Sequence, residues 1–176
     1  MKDRGNFLLI LAIVFSSCVK QNPTISLEDT FLRDYAGYCS VYQNTQLIKP
    51  YIYAKRMNGR IMINIDQYWT EGYPSYRNVG LIMDDIPAKE GYINFKDDST
   101  FIGLITYKHG YDLIEANYKI KPSTDNYVNI TELTDQSVKG FFRLSFEQDT
   151  SIRKNHVAFM GNTVVYENGF FEAVLQ

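Results

Sequence analysis

Between residues 137 and 147 the apolar side chains fall on alternate positions. Val138, Gly140, Phe142, Leu144 and Phe146 alternate with Lys139, Phe141, Arg143, Ser145 and Glu147, the period of two expected of a strand with one buried and one wet face. Only Phe141 breaks the rule, placing an aromatic ring at a polar position. Residues 127–133 read as a partner strand. Thr134-Asp135-Gln136-Ser137 reads as the turn between them, because short polar side chains hydrogen-bond the local backbone where a ladder reverses. The kernel is a β-hairpin.

The same pattern recurs along the chain. Residues 51–57 and 60–65 flank Asn58-Gly59, a pair that tolerates positive φ and so marks a tight hairpin, with Ile61, Ile63 and Ile65 sharing one face. Further strands are expected at 79–84, 91–95, 101–107, 113–120, 157–160 and 163–175. In 113–120 the residues Ile114, Ala116, Tyr118 and Ile120 fall on one face, and in 163–175 Asn168-Gly169 either bulges or turns the strand. Ser26-Leu27-Glu28-Asp29 has the form of a helix N-cap, and Leu27, Phe31 and Tyr35 follow at i, i+4, i+8, which predicts a short helix ending near Gly37. About ten strands imply an all-β fold: a single antiparallel β-sandwich, with a closed β-barrel as the alternative.

The amino terminus obeys a different pattern. Lys2 and Arg4 precede the apolar run Phe7 to Phe15 and then Ser16-Ser17-Cys18. Nine apolar residues are too few to cross a hydrocarbon layer about 30 Å thick, yet they suit the central region of a secretion signal. Phe15-Ser16-Ser17-Cys18 resembles a bacterial lipobox, which implies a diacylglycerol-modified Cys18 at the start of the mature chain. The expected organisation is a leader at 1–17, an anchor and polar linker at 18–25, and one domain at 26–176. Two or three acyl chains make a stable membrane anchor where one makes only a reversible contact. No Asp and no acidic run follows Cys18, which points to an outer-membrane lipoprotein facing the periplasm rather than the cell surface. Ordinary cleavage with a Cys18–Cys39 disulfide is the competing reading.

Composition agrees with a strand-rich globular protein. Of 176 residues, 45% are hydrophobic and 22% charged, and aromatic residues reach 15%, which favours strands and half-wet surfaces. The net charge of -2, with no long run of Lys or Arg, excludes an electrostatic footprint for nucleic acid.

Candidate chemistry is sparse. His109 and His156 stand apart, without the spacing of a zinc site, and Asp97-Asp98-Ser99-Thr100 lacks the alternation of a calcium loop, so neither metal nor cofactor is expected. Asp84-Asp85 and Asp97-Asp98 are consecutive, so in a strand their carboxylates point to opposite faces and suit turns better than a glycosidase pair. Cys39 has no nucleophile signature around it and reads as a buried thiol. The stretch Tyr68-Trp69-Thr70-Glu71-Gly72-Tyr73-Pro74-Ser75-Tyr76-Arg77 holds the only Trp and reads as a loop. Its Tyr68, Trp69, Tyr73, Tyr76 and Arg77 are the candidate ligand-binding residues, since flat rings beside polar groups suit sugars, peptides or partner surfaces. The alternative is that these rings fold back and plug one end of the domain.

The lipobox, Tyr53-Ala54 before Asn58-Gly59-Arg60-Ile61, Val128-Asn129-Ile130-Thr131-Glu132 with Val138-Lys139-Gly140-Phe141-Phe142, and the closing Tyr166-Glu167-Asn168-Gly169-Phe170-Phe171 together resemble small all-β lipoproteins of Gram-negative bacteria assigned to domain-of-unknown-function families. The resemblance spans most of the mature chain and brings no catalytic residue with it. The expectation is a lipid-anchored envelope binding or accessory module without catalytic activity, directed at glycan or another envelope protein. A small-ligand carrier with a barrel cavity is the alternative, and an enzyme ranks third.

Overall fold

The computed structural model describes residues 35–70, 76–95, 102–109, 113–151 and 159–176. Cys18, the expected helix up to residue 34, Tyr73, the Asp97-Asp98 pair and His156 lie outside these residues.

The described residues form eleven strands: β1 (Gly37–Gln43), β2 (Gln46–Ile48), β3 (Tyr51–Met57), β4 (Arg60–Thr70), β5 (Tyr76–Pro87), β6 (Gly91–Asn94), β7 (Ile102–His109), β8 (Leu113–Ile120), β9 (Tyr127–Leu133), β10 (Ser137–Gln148) and β11 (Thr163–Val174). The fold is all-β, one strongly curled antiparallel sheet in the order β2-β1-β11-β10-β8-β7-β5-β4-β3, with β9 and β6 branching from β10. Of the expected strand at 157–160, the described residues Phe159 and Met160 form a turn. The sheet curls round until Ala54 of its edge strand β3 and Leu175, just after β11, form a parallel bridge. There Arg56 donates its backbone N–H to Gln176 (3.2 Å), and Gln176 donates to Ala54 (3.1 Å).

Hairpins and bulges set this geometry. Asn58 and Gly59 both have positive φ (50° and 75°), so the β3–β4 turn has the backbone the dipeptide is suited to. Asn168 (φ 52°) leaves β11 as one strand with a bulge, and the buried set changes from Val164 and Tyr166 to Gly169, Phe171 and Ala173 across it. Asp84-Asp85 is likewise a bulge within β5 rather than a turn after it. Asp85 has φ 56°, its N–H bonds the Asp84 carboxylate (2.8 Å), and its own carboxylate holds Arg60 Nε at 2.8 Å. A third irregularity, opposite Thr106 and Tyr107, corrects the sequence pattern of β8. It turns Ile114 outward and Glu115 inward at the start of the strand, while Ala116, Tyr118 and Ile120 share the buried face as expected.

At the branch, β10 pairs with β9 along Val138–Arg143 and with β8 along Phe146–Gln148. Ser145 falls between them. The fully buried Asn126 closes that gap: its Oδ1 accepts from Ser145 N (2.8 Å) and its Nδ2 donates to Lys121 O (2.6 Å). A buried side-chain amide thereby satisfies backbone groups that no strand reaches.

The concave side of the curl is filled. Phe142, Phe146, Tyr166 and Phe171 pack with Ile52, Ile63, Leu81 and Leu104 in one apolar cluster. Phe142 lies opposite Gly169 and Phe171 opposite Gly140, so each ring covers a glycine on the neighbouring strand. A Cβ at Gly169 would sit 2.6 Å from Phe142 Cδ1 and Cζ with Cε1 closer still, and one at Gly140 would meet the Asn129 carbonyl oxygen first and Phe171 Cζ at 2.8 Å. The Gly-x-Phe pattern is therefore a packing device.

Candidate functional site

Of the expected recognition loop at 68–77, the described residues 68–70 and 76–77 are strand. Tyr68, Trp69 and Thr70 belong to β4 and pair with Asn78, Arg77 and Tyr76 of β5, leaving a connection of five residues, 71–75. Regular pairing has a consequence for the candidate residues: neighbours along a strand face opposite ways. Tyr68 and Trp69 are thus parted by the sheet.

Trp69 and Arg77 share the inner side. Trp69 is half-buried against the core and meets Phe159 edge-on, with ring centroids 5.6 Å apart. The Arg77 guanidinium lies 4.5 Å from the same Phe159 ring and forms an ion pair with Glu115 (3.1 Å). The β8 irregularity makes this pair possible by delivering Glu115 to the inside. These groups close one end of the curl. The fold-back alternative describes Trp69 better than a solvent-facing recognition ring does.

Tyr68 joins a different cluster. Its hydroxyl lies 3.2 Å from that of Tyr35, its ring 6.0 Å from Tyr51, and Tyr35 in turn donates a short hydrogen bond to Asp66. Burial raises the Asp66 carboxyl above its ordinary range, while hydrogen bonds from Tyr35 and Asn78 pull it back in part. Asp66 lies opposite Gly80, where a Cβ would stand 2.9 Å from Asp66 Oδ1. The Tyr35 hydroxyl is itself pushed up, first by burial and then by its bond to Asp66. The cluster pins the chain entering β1 onto β4.

Among the described residues the one thiol is engaged in structure. Cys39 is a free thiol among the described residues, 1% exposed, and burial pushes it up to about 12, leaving almost no thiolate near neutrality. No group of three or more His, Cys, Asp or Glu side chains comes together among the described residues. His109 ends β7, opposite Tyr76.

An aromatic row on the outer face is the feature that sequence reading missed. Ser40, Phe170, Phe141, Asn129 and Tyr92 lie side by side on β1, β11, β10, β9 and β6. Phe141 and Phe170 are direct cross-strand partners with centroids 5.4 Å apart, Tyr38 lies 6.1 Å from Phe170, and Tyr92 stacks on Tyr127 at 4.8 Å. Tyr38, Phe141 and Tyr92 are 47%, 43% and 58% exposed. One signal was visible beforehand: Phe141, the single aromatic ring out of place in its strand. Polar side chains flank the row. Lys139 pairs with Glu172 (3.9 Å) and lies 5.8 Å from the Phe170 ring centre, and Arg143 pairs with Glu167 (3.0 Å) and Asp125 (3.5 Å).

Comparison with known proteins finds no matching family model, no matching curated protein and no matching solved structure.

Proposed function

We propose that this chain is a lipid-anchored binding module of the bacterial envelope, held at the outer membrane through Cys18, facing the periplasm, and without catalytic activity. The observation that carries the binding role is the Phe141–Phe170 pair at the centre of the outer row, Phe141 exposed and Phe170 partly so. Exposed rings on a rigid sheet supply contact area at low entropic cost, and such anchors dominate interface energies. Recognition outside the sheet is favoured over carriage within it because Phe142, Phe146, Tyr166 and Phe171 occupy the concave side. A non-catalytic role is supported by the buried Cys39 and by the Asp85 carboxylate, which is bound to Arg60. The anchor is supported by the leader and by Phe15-Ser16-Ser17-Cys18.

Fatty-acid labelling and fractionation test the anchor: Cys18→Ala should lose both label and membrane association, and a variant that keeps both refutes it. The binding role is tested with the same unanchored chain by adding Phe141→Ala and Phe170→Ala. Association with isolated envelopes should fall while the melting temperature is kept, and unchanged association refutes the role of the row.

A further inference from the structure

The chemistry around the row narrows the ligand. We infer that the outer face of β1, β11, β10, β9 and β6 binds an uncharged polysaccharide lying across the strands, with pyranose faces on Phe170, Phe141 and Tyr92. This rests on reading the row as the recognition surface and adds what it recognises.

Three observations support it. The first is charge. Both cations flanking the row are engaged, Lys139 with Glu172 and Arg143 with Glu167 and Asp125, so carboxylates outnumber cations here. A polyanion would meet a balanced or repelling surface, whereas ion-paired side chains still offer donors and acceptors to neutral hydroxyls. The second is direction. The row crosses five adjacent strands, and at about 4.8 Å between strands it extends roughly 19 Å. That length suits an extended polymer better than a single small molecule. The third is the mixture of rings and hydrogen-bonding groups. Along the row come hydroxyl, ring, ring, amide and ring, from Ser40, Phe170, Phe141, Asn129 and Tyr92. A sugar chain presents the matching pattern, because its C–H faces settle on the electron-rich ring faces and its equatorial hydroxyls reach side-chain hydrogen-bonding groups.

The same surface argues against burial in a lipid layer. Glu172 and Glu167 border the rings, and immersing carboxylates in hydrocarbon is costly.

Native affinity electrophoresis of the full-length protein in detergent tests the inference, using gels containing glucomannan, xylan or mixed-linkage β-glucan, with polygalacturonate as the anionic comparison. At least one uncharged polysaccharide should retard the protein. Phe141→Ala with Phe170→Ala should weaken retardation about tenfold or more. Phe141→Tyr keeps the ring and should keep the retardation, and Tyr92→Ala should weaken it from the far end of the row. No retardation in any uncharged gel, retardation by polygalacturonate alone, or retardation that the row variants leave unchanged would each overturn the inference. If envelope association still depends on Phe141 and Phe170 while every uncharged gel is silent, the recognition surface stands and the ligand is not a neutral glycan.

Discussion

The ring of Phe142 lies over Gly169 of the neighbouring strand, while its sequence neighbour Phe141 projects from the opposite face. One Phe-Phe pair thus serves two purposes, packing and exposure. Phe142→Ala should destabilise the protein by about 3–5 kcal/mol, since a fully buried ring leaves a cavity. Gly169→Ala should cost about 1–3 kcal/mol because the ring must move aside. Lys139→Ala, which removes a long surface ion pair and a distant contact with the Phe170 ring, should stay within about 0.5 kcal/mol. Chemical denaturation of the three variants checks the order, and three equal shifts would contradict it.

Trp69→Ala should also lower stability, by about 2 kcal/mol, less than a fully buried aromatic residue because the ring is only half-buried. A melting temperature equal to that of the unsubstituted protein would show that the ring does not seal the end of the curl.

Asp66 should make stability depend on pH with a defined sign. Its folded-state carboxyl titrates above its unfolded one, which lies at about 3.9. The stabilisation it contributes is therefore present below that value and is lost as pH rises through the raised folded value. Relative to Asp66→Asn, the unsubstituted protein should lose stability across this window and stay level above it. Tyr35→Phe removes a bond that holds the carboxyl down, so it should move the window to higher pH. Thermal melts between pH 3 and 8 decide the matter, and a flat difference between protein and variant would contradict the assignment.

Asn126→Ala should cost about 1–3 kcal/mol, because the Ser145 N–H and the Lys121 carbonyl lose their partner in a buried position. Amide exchange should accelerate at Ser145 before it does in the middle of β4. Equal protection in both forms would mean that water substitutes for the side chain.

Much of the fold was legible residue by residue. In β10 every residue assigned to the core is buried, Asn58-Gly59 makes the β3–β4 turn, and Asn168-Gly169 marks a bulge. Such features depend on neighbours a few positions apart, where period and backbone preference act. Local pattern also carried the strand reading too far at Phe159 and Met160, and it stopped β4 and β5 short of Trp69 and Arg77. Gly and Pro suggested a loop there, and cross-strand pairing overrode them up to Thr70 and Tyr76.

The sequence by itself determined strand class, hairpin turns and the alternation of most faces, because side-chain direction in a strand follows from period two. Only the tertiary structure decided that Tyr68 joins Asp66 while Trp69 joins Phe159, and that Glu115 turns inward to Arg77. It also decided that Phe141 has Phe170 beside it and Tyr92 two strands away. Those outcomes depend on register between segments distant in the chain, and a single bulge shifts that register by one residue and exchanges the faces beyond it.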